Sequence, residues 1–334
     1  MRILVLGGTR FMGPFLVREL AADGHEVIVF HRGEHEAELP ADHVHGDFAE
    51  FDQHLPRLQE FEPETVVDML AVLPTDAARV GAFTRSARHA VVLSSADVYR
   101  AYGRAWRTEP GPPDPVPLTE DSPLRERVVD ADYDKVAVEA AVRRLDLPVT
   151  VLRIAAVHGP GDFQHRLWAY LKRMDDGRKA ILLDREIADF YWARVYVENA
   201  AHAIALAATD ERTAGQTFNV ADDITLNETQ RINAIAASTA WHGEIVRAPS
   251  TLLPDYLRED RFDFRQQYVL DTTRIRHELG HREVIEPVEA MRRTIEWERA
   301  NPPRSEDLHP EFVDRFDYDA EDQALNRISQ PTID

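Results

Sequence analysis

The feature that most constrains this chain is its first 24 residues. Ile3 to Leu6 is an apolar run of strand length, Gly7 and Gly8 break it, and Gly13 opens a helical pattern. Phe15, Leu16, Leu20 and Ala21 recur at helical spacing until Asp23-Gly24, a turn signal. A strand, a glycine turn and a helix in that order bring unpaired amide N–H groups and the positive end of a helix dipole to one point. Glycine there lets the backbone come close to a pyrophosphate. Tight turns of other origin mimic a lone glycine motif; the strand before and the helix after tie this one to a dinucleotide-binding unit.

The rest of the chain repeats the alternation. Glu26–His31, His43–His45, Thr65–Leu70, Ala90–Ser95 and Val149–Ile154 read as short strands. Helical patterns fill gaps at Thr75–Ala87 and Tyr133–Leu145, and recur at Phe163–Met174, Val197–Thr209 and Leu226–Ala237. The proline-crowded stretch 106–125 reads as a loop over the C-terminal edge of the sheet, and 271–280 leads into a helix ending near Glu298. Such a pattern predicts an α/β fold, a Rossmann-type doubly wound parallel sheet with a smaller C-terminal substrate-binding domain. The expected division is 1–157 for the sheet domain, with 191–220 returning to it, and 158–190 with 221–300 for the smaller one. Residues 301–334 read as an acidic tail with scattered aromatics (Phe312, Phe316, Tyr318), expected to be partly disordered rather than a strap on a partner subunit.

Composition narrows the setting. No run is long enough to span a membrane and no apolar leader is visible, so no membrane role is expected. The chain has no cysteine, which excludes disulfides and thiolate chemistry and suggests a cytoplasmic protein. A formal charge of −20, with only Lys135, Lys172 and Lys179 as lysines, disfavours a nucleic-acid partner. His25, His31, His35, His43, His45 and His54 are dense in sequence but share no helical face, so no metal site is expected among them.

Six segments occur in a telling order: Gly7-Gly-Thr-Arg-Phe-Met-Gly13, Ser94-Ser95-Ala-Asp-Val-Tyr99, Lys135-Val-Ala-Val-Glu139, Arg153-Ile-Ala-Ala-Val-His-Gly-Pro-Gly161, Val195-Tyr-Val-Glu-Asn199 and Phe218-Asn219-Val220. On these segments, which span nearly the whole chain, it resembles the extended short-chain dehydrogenase/reductase superfamily, the NAD-dependent epimerase/dehydratase group acting mainly on nucleotide sugars. The Gly-Gly-Thr-Arg-Phe variant is similar to its atypical branch, which includes chloroplast stem-loop RNA-binding proteins. Fold follows from such a likeness; function has to be argued from the site.

The resemblance implies a cofactor site made of Gly7, Gly8, Thr9, Arg10, Phe11, Met12 and Gly13, with Arg10 replacing a usual glycine and able to meet phosphate. It implies an adenine contact at Asp47, and Met69, Leu70 and Ala71 closing beside the adenine ribose. Where relatives that prefer NAD carry an acidic residue, this chain has His31 followed by Arg32, which favours NADP over NAD. A tyrosine and a lysine one helical turn later do the proton chemistry in this group, with a serine or threonine polarising the substrate oxygen. Lys135 and Ser95 match. The position four before the lysine is Ala131, and the nearest tyrosine, Tyr133, lies about 200° away on a regular helix. Tyr133 can serve only if the helix begins around it, capped by Asp130 or Asp132. Tyr99 and Tyr102 are reserves, Tyr99 being the better candidate for core.

Sugar dehydratases of the group use an Asp-Glu pair after the hydroxyl; here the pair reads Ala96-Asp97, which demotes dehydration and leaves Asp97 as a substrate contact. A substrate-positioning asparagine after Arg153 appears as Ala156. Gln164, His165 and Arg166 follow a Gly-Asp pair at an expected helix start, placed for a phosphate or carboxylate, and Arg194 could reach the cleft. Trp168 and Tyr191 read as core. The leading expectation is an NAD(P)-dependent epimerase or oxidoreductase moving hydride on a sugar-like, nucleotide-linked small molecule. The alternatives are an NADPH-dependent reductase of a non-sugar carbonyl, and a non-catalytic NAD(P)- or RNA-binding regulatory protein. Dimerisation through paired helices is implied by the resemblance.

Overall fold

The structure is a computed structural model, describing residues 1–35, 38–128, 130–304 and 316–329. Its strands are β1 (Arg2–Leu6), β2 (Glu26–His31), β3 (Asp42–His45), β4 (Thr65–Asp68), β5 (His89–Ser95), β6 (Val149–Ile154), β7 (Ala156–His158), β8 (Ala180–Asp184), β9 (Arg194–Tyr196), β10 (Thr217–Val220) and β11 (Glu244–Ala248). Its α-helices are α1 (Met12–Ala22), α2 (Phe51–Glu60), α3 (Ala77–Gly81), α4 (Arg100–Ala105), α5 (Lys135–Val142), α6 (Trp168–Asp175), α7 (Arg185–Ala188), α8 (Val197–Thr209), α9 (Glu228–Thr239), α10 (Thr273–Glu278), α11 (Pro287–Ala300) and α12 (Tyr318–Ser329).

Seven strands form one sheet in the order β10-β6-β5-β4-β1-β2-β3, every neighbouring pair parallel. Period-two alternation within β1 shows why the apolar runs are continuous rather than half polar. Ile3 and Val5 pack into the core beside α1 and α8, whereas Leu4 and Leu6 enter the core of the opposite face with Leu58 of α2 and Val138 of α5. Both faces are covered, so no polar side of the strand exists. Each such side chain, fully buried, contributes about 1.5–3 kcal/mol. The strand order reverses between β4 and β1, which opens a crevice at the C-terminal ends of those strands.

Beyond this sheet, β8 and β11 pair in parallel, and α6, α9 and α11 bury Leu171, Ile232, Ile235 and Ile295 in a separate apolar cluster. β7 and β9 pair at the boundary between these parts. No described helix is long and apolar enough to cross a membrane.

Three sequence expectations need correction. The helix expected over 75–87 shrinks to α3, preceded by a 3-10 turn at Pro74–Asp76. The helix expected from Phe163 begins only at Trp168, because Asp162 accepts the N–H groups of Gln164 and Arg166 and holds a turn there. The tail contains α12, which packs on its own chain: Glu321 is fully buried against Arg173 of α6, and Ala324 joins Leu182, Ala248 and Leu253. Phe312 lies outside the described residues.

Candidate active site

β1 runs into Gly7 and Gly8, at φ 95° and 94°, a region a side chain rarely enters. A Cβ on Gly13 would stand 2.4 Å from the backbone of Gly8, so the loop and the first turn of α1 close on one another only with glycine there. α1 has no side-chain cap and no acidic residue in its first turn. The Gly13 N–H donates to the Arg10 carbonyl at 3.0 Å, and the other N–H groups of this first turn are the donors a helix start offers to an anion. Thr9 is half-buried and Arg10 exposed beside this turn. Phe11, at φ 52°, turns its ring against Phe163. Opposite, buried Asp68 accepts from the amides of Leu70 (2.8 Å) and Ala71 (3.0 Å), fixing Met69, Leu70 and Ala71 over the strand ends. Leu70 covers Gly7. A glycine cradle, a bare helix start and an apolar lip fit the pyrophosphate and adenosine of a dinucleotide.

A cleft of about 790 Å³ continues from Phe11, Met12 and Met69 to the ends of β5 and α5. Ser95, Asp97, Tyr133 and Lys135 line it together. α5 begins at Lys135 itself, capped by Asp134, whose carboxylate accepts from Ala137 N–H at 3.0 Å. Tyr133 thus lies before the helix, free of its 100° step, and the cap is Asp134 rather than Asp130 or Asp132. The Tyr133 hydroxyl donates to Asp97 at 2.9 Å, and its ring centre is 5.7 Å from Lys135 Nζ. Ala131, at the position where the resemblance would put the tyrosine, is exposed.

Protonation follows from this arrangement. Burial, with the Asp97 charge adding to it, pushes the Tyr133 phenol well above its usual range. Burial likewise raises Asp97, against the pull of Arg125. Burial lowers Lys135, which still donates to the carbonyls of Ala71 (2.5 Å) and Leu93 (2.9 Å). The lysine so ties the β4 lip to the end of β5. Tyr102 also lines the cleft, its phenol pushed up to about 12 by burial. Tyr99 is fully buried, donating to Asn219 at 2.6 Å within the Arg153–Glu139 ion pair network, a core role.

The far end of the cleft is cationic. Arg166, Arg194 and Arg231 line it with Glu228 as the carboxylate among them. Arg194 reaches Glu228 at 3.3 Å and Arg231 reaches it at 3.4 Å. Burial and then the nearby Arg231 charge bring Arg194 down to about 10. Arg231 and Glu228 escaped sequence reasoning; their i,i+3 spacing on α9 was the available signal, but nothing in sequence brings α9 to the sheet edge.

Other expected residues fall differently. Gln164 is exposed at the cleft wall. His165 borders the cleft, but its ring is bonded to Glu298 at 2.7 Å and stacked on Trp297. Arg166 spends two bonds on the Val157 carbonyl and Asp162. Trp168, expected in the core, is half-buried and lines the cleft. Asp47 is exposed and caps the turn after β3 by accepting from Ala49 N–H, leaving its second oxygen uncommitted by that bond. Arg32 faces Glu34 at 3.0 Å, which blunts the cation on which the NADP expectation rested. His31 meets His43, Nε2 to Nδ1, at 2.8 Å, with His45 beside them. These histidines share no helical face, as expected, but the rings of His31, His43 and His45 meet across two paired strands.

Residues 3–221 match the NAD dependent epimerase/dehydratase family. A 2′-dehydrokanamycin reductase of Streptomyces kanamyceticus is 29% identical over 234 residues, which is 66% of this chain and 62% of that protein. Among solved structures, the Bordetella bronchiseptica enzyme WbmG in complex with NAD aligns at TM-score 0.67 with 21% identity, covering 90% of this chain and 94% of that one. The UDP-glucose 4-epimerase of Thermotoga maritima with UDP-glucose aligns at 0.65 with 20% identity, covering 90% and 99%. These likenesses are to the fold. The chain belongs to the NAD-dependent epimerase/dehydratase family.

Proposed function

We propose that this member of the family is a nicotinamide-dependent oxidoreductase or epimerase acting on a sugar-like substrate that carries an anionic, nucleotide-type group. The observation that carries the reading is one cleft with Ser95, Asp97, Tyr133 and Lys135 at one end and Arg166, Arg194 and Arg231 at the other. Three guanidiniums crowd one another there against Glu228, and a diphosphate or carboxylate would relieve the repulsion that adds to burial in lowering Arg194.

The amides around Gly8 and Gly13 would hold a pyrophosphate, and Lys135, with Met69 to Ala71, would flank the cofactor's sugars. A bound nicotinamide supplies hydride exchange with a carbinol carbon. Ser95 Oγ polarises the substrate oxygen, and the Tyr133 hydroxyl delivers a proton to it or takes one away. In the arrangement described, burial and then the Asp97 charge hold Tyr133 protonated, so the chain is set to donate. This favours a second reading, a carbonyl reductase consuming reduced nucleotide, over net dehydration, for which Ala96 leaves one acid short. The NADP preference expected from His31-Arg32 has only that dipeptide behind it; NAD is the nucleotide named for WbmG. Residues 158–190 and 221–300 are the proposed substrate-binding part.

The test is direct. Purified protein is incubated with UDP- and dTDP-hexoses, and with their keto forms, in the presence of NAD or NADPH. Turnover without net nucleotide consumption marks an epimerase; stoichiometric consumption marks a reductase. No turnover of any nucleotide sugar, with turnover of an uncharged or cationic ketone, overturns the anionic substrate.

A further inference from the structure

His31 closes β2, and His43 and His45 stand two apart on β3. The parallel register sets His31 opposite His45, and Val29 opposite His43. Residues two apart on a strand, and residues paired across a parallel ladder, share a face. All three imidazoles therefore rise on one side of the sheet's edge. One ring nitrogen from each lies within 4.8 Å of the others. Phe30 and Val44 between them point the other way, into the core with Phe51 and Leu58.

We infer that His31, His43 and His45 form a binding site for one divalent transition-metal ion of the zinc class. Imidazole nitrogen suits such ions, and three histidines with an open fourth position make a familiar donor set. A Zn–N bond of about 2.0–2.1 Å puts tetrahedral donors roughly 3.3 Å apart. The His31–His43 pair, at 2.8 Å, opens by about half an ångström to admit the ion, well within the swing of a side-chain torsion. His31 is buried, His43 half-buried and His45 exposed, so the site has a firm floor and an outer ligand at the surface. Loading has one local consequence. Gly33 N–H donates to His31 Nδ1 at 3.1 Å, whereas metal on Nε2 moves the ring proton to Nδ1. Gly33 is an exposed glycine at φ 81°, free to turn that amide away.

The probe is Co²⁺ added to the untagged full chain without nucleotide, so that the outcome is independent of the cofactor reading. A saturable visible spectrum of tetrahedral intensity, one ion per chain, displaced by equimolar Zn²⁺, is expected. His43→Ala and His45→Ala each weaken binding at least tenfold with circular dichroism unchanged. Weak, non-saturating octahedral absorption overturns the site. So does undiminished affinity in the folded double variant His43→Ala/His45→Ala.

Discussion

Replacing Asp97 with asparagine should free the Tyr133 proton. The phenol donates to the carboxylate across 2.9 Å, and that charge is one cause of its raised pKa. Two unit charges at that distance interact by on the order of 6 kcal/mol at an effective dielectric of ~20, and by ~1.4 kcal/mol in bulk water. At about 1.4 kcal/mol per pH unit, Asp97→Asn should lower the Tyr133 pKa by between ~1 and ~4 units. The cleft is open to water, which places the effect toward the lower end. A neutral acid next to an anion ionises later, so removing the anion moves ionisation to lower pH. Alkaline ultraviolet difference titration reads it, comparing Asp97→Asn with Asp97→Asn/Tyr133→Phe to isolate the one tyrosinate. In a proton-donating reaction the alkaline limb of kcat/KM should move down by the same amount. An Asp97→Asn titration superimposable on that of the unmodified chain would refute the claim that Asp97 governs this proton.

Three further outcomes follow from other parts of the molecule. Lys135→Met should abolish turnover and weaken nucleotide binding at least tenfold, read by fluorescence titration; unchanged binding removes the lysine from the site. Breaking the buried Arg173–Glu321 pair with Glu321→Ala should cost about 3–5 kcal/mol in urea unfolding, because it strands a buried guanidinium; a loss below ~1 kcal/mol would mean α12 is only loosely docked. Glu283, held at about 2 by Arg276 against the opposing effect of burial, contributes stability present above the unfolded carboxylate pKa near 4.5. That stability is lost as pH falls from ~4.5 to ~2, so Glu283→Gln should flatten acid destabilisation in that window; an identical acid curve would contradict the pairing.

The sheet was legible because burial on both faces makes its strands continuous apolar runs, and because Gly7, Gly8 and Gly13 answer to local backbone demands. Lys135 and Ser95 lay at positions that the motifs pick out. Tyr133 was ambiguous for a physical reason: whether it shares a site with Lys135 depends on where α5 starts, and a cap at Asp134 rather than Asp132 decides that. The histidine cluster was invisible to helical spacing, since pairing of β2 with β3 creates it. The docking of α12 was hidden because its buried residues include Glu321, a charge met by Arg173, 148 positions earlier, and by the Tyr256 hydroxyl, partners that only the folded chain brings to it. Arg231 joins Arg194 through tertiary packing alone.

The most direct test of the account is equilibrium titration of the purified chain with NADH and NADPH, followed by quenching of protein fluorescence and by nicotinamide emission. The glycine cradle and the uncapped start of α1 predict saturable binding of one dinucleotide per chain, lost in Gly13→Leu, whose side chain collides with the Gly8 backbone. Failure to bind any oxidised or reduced nicotinamide dinucleotide, in a chain shown to be folded, would contradict it.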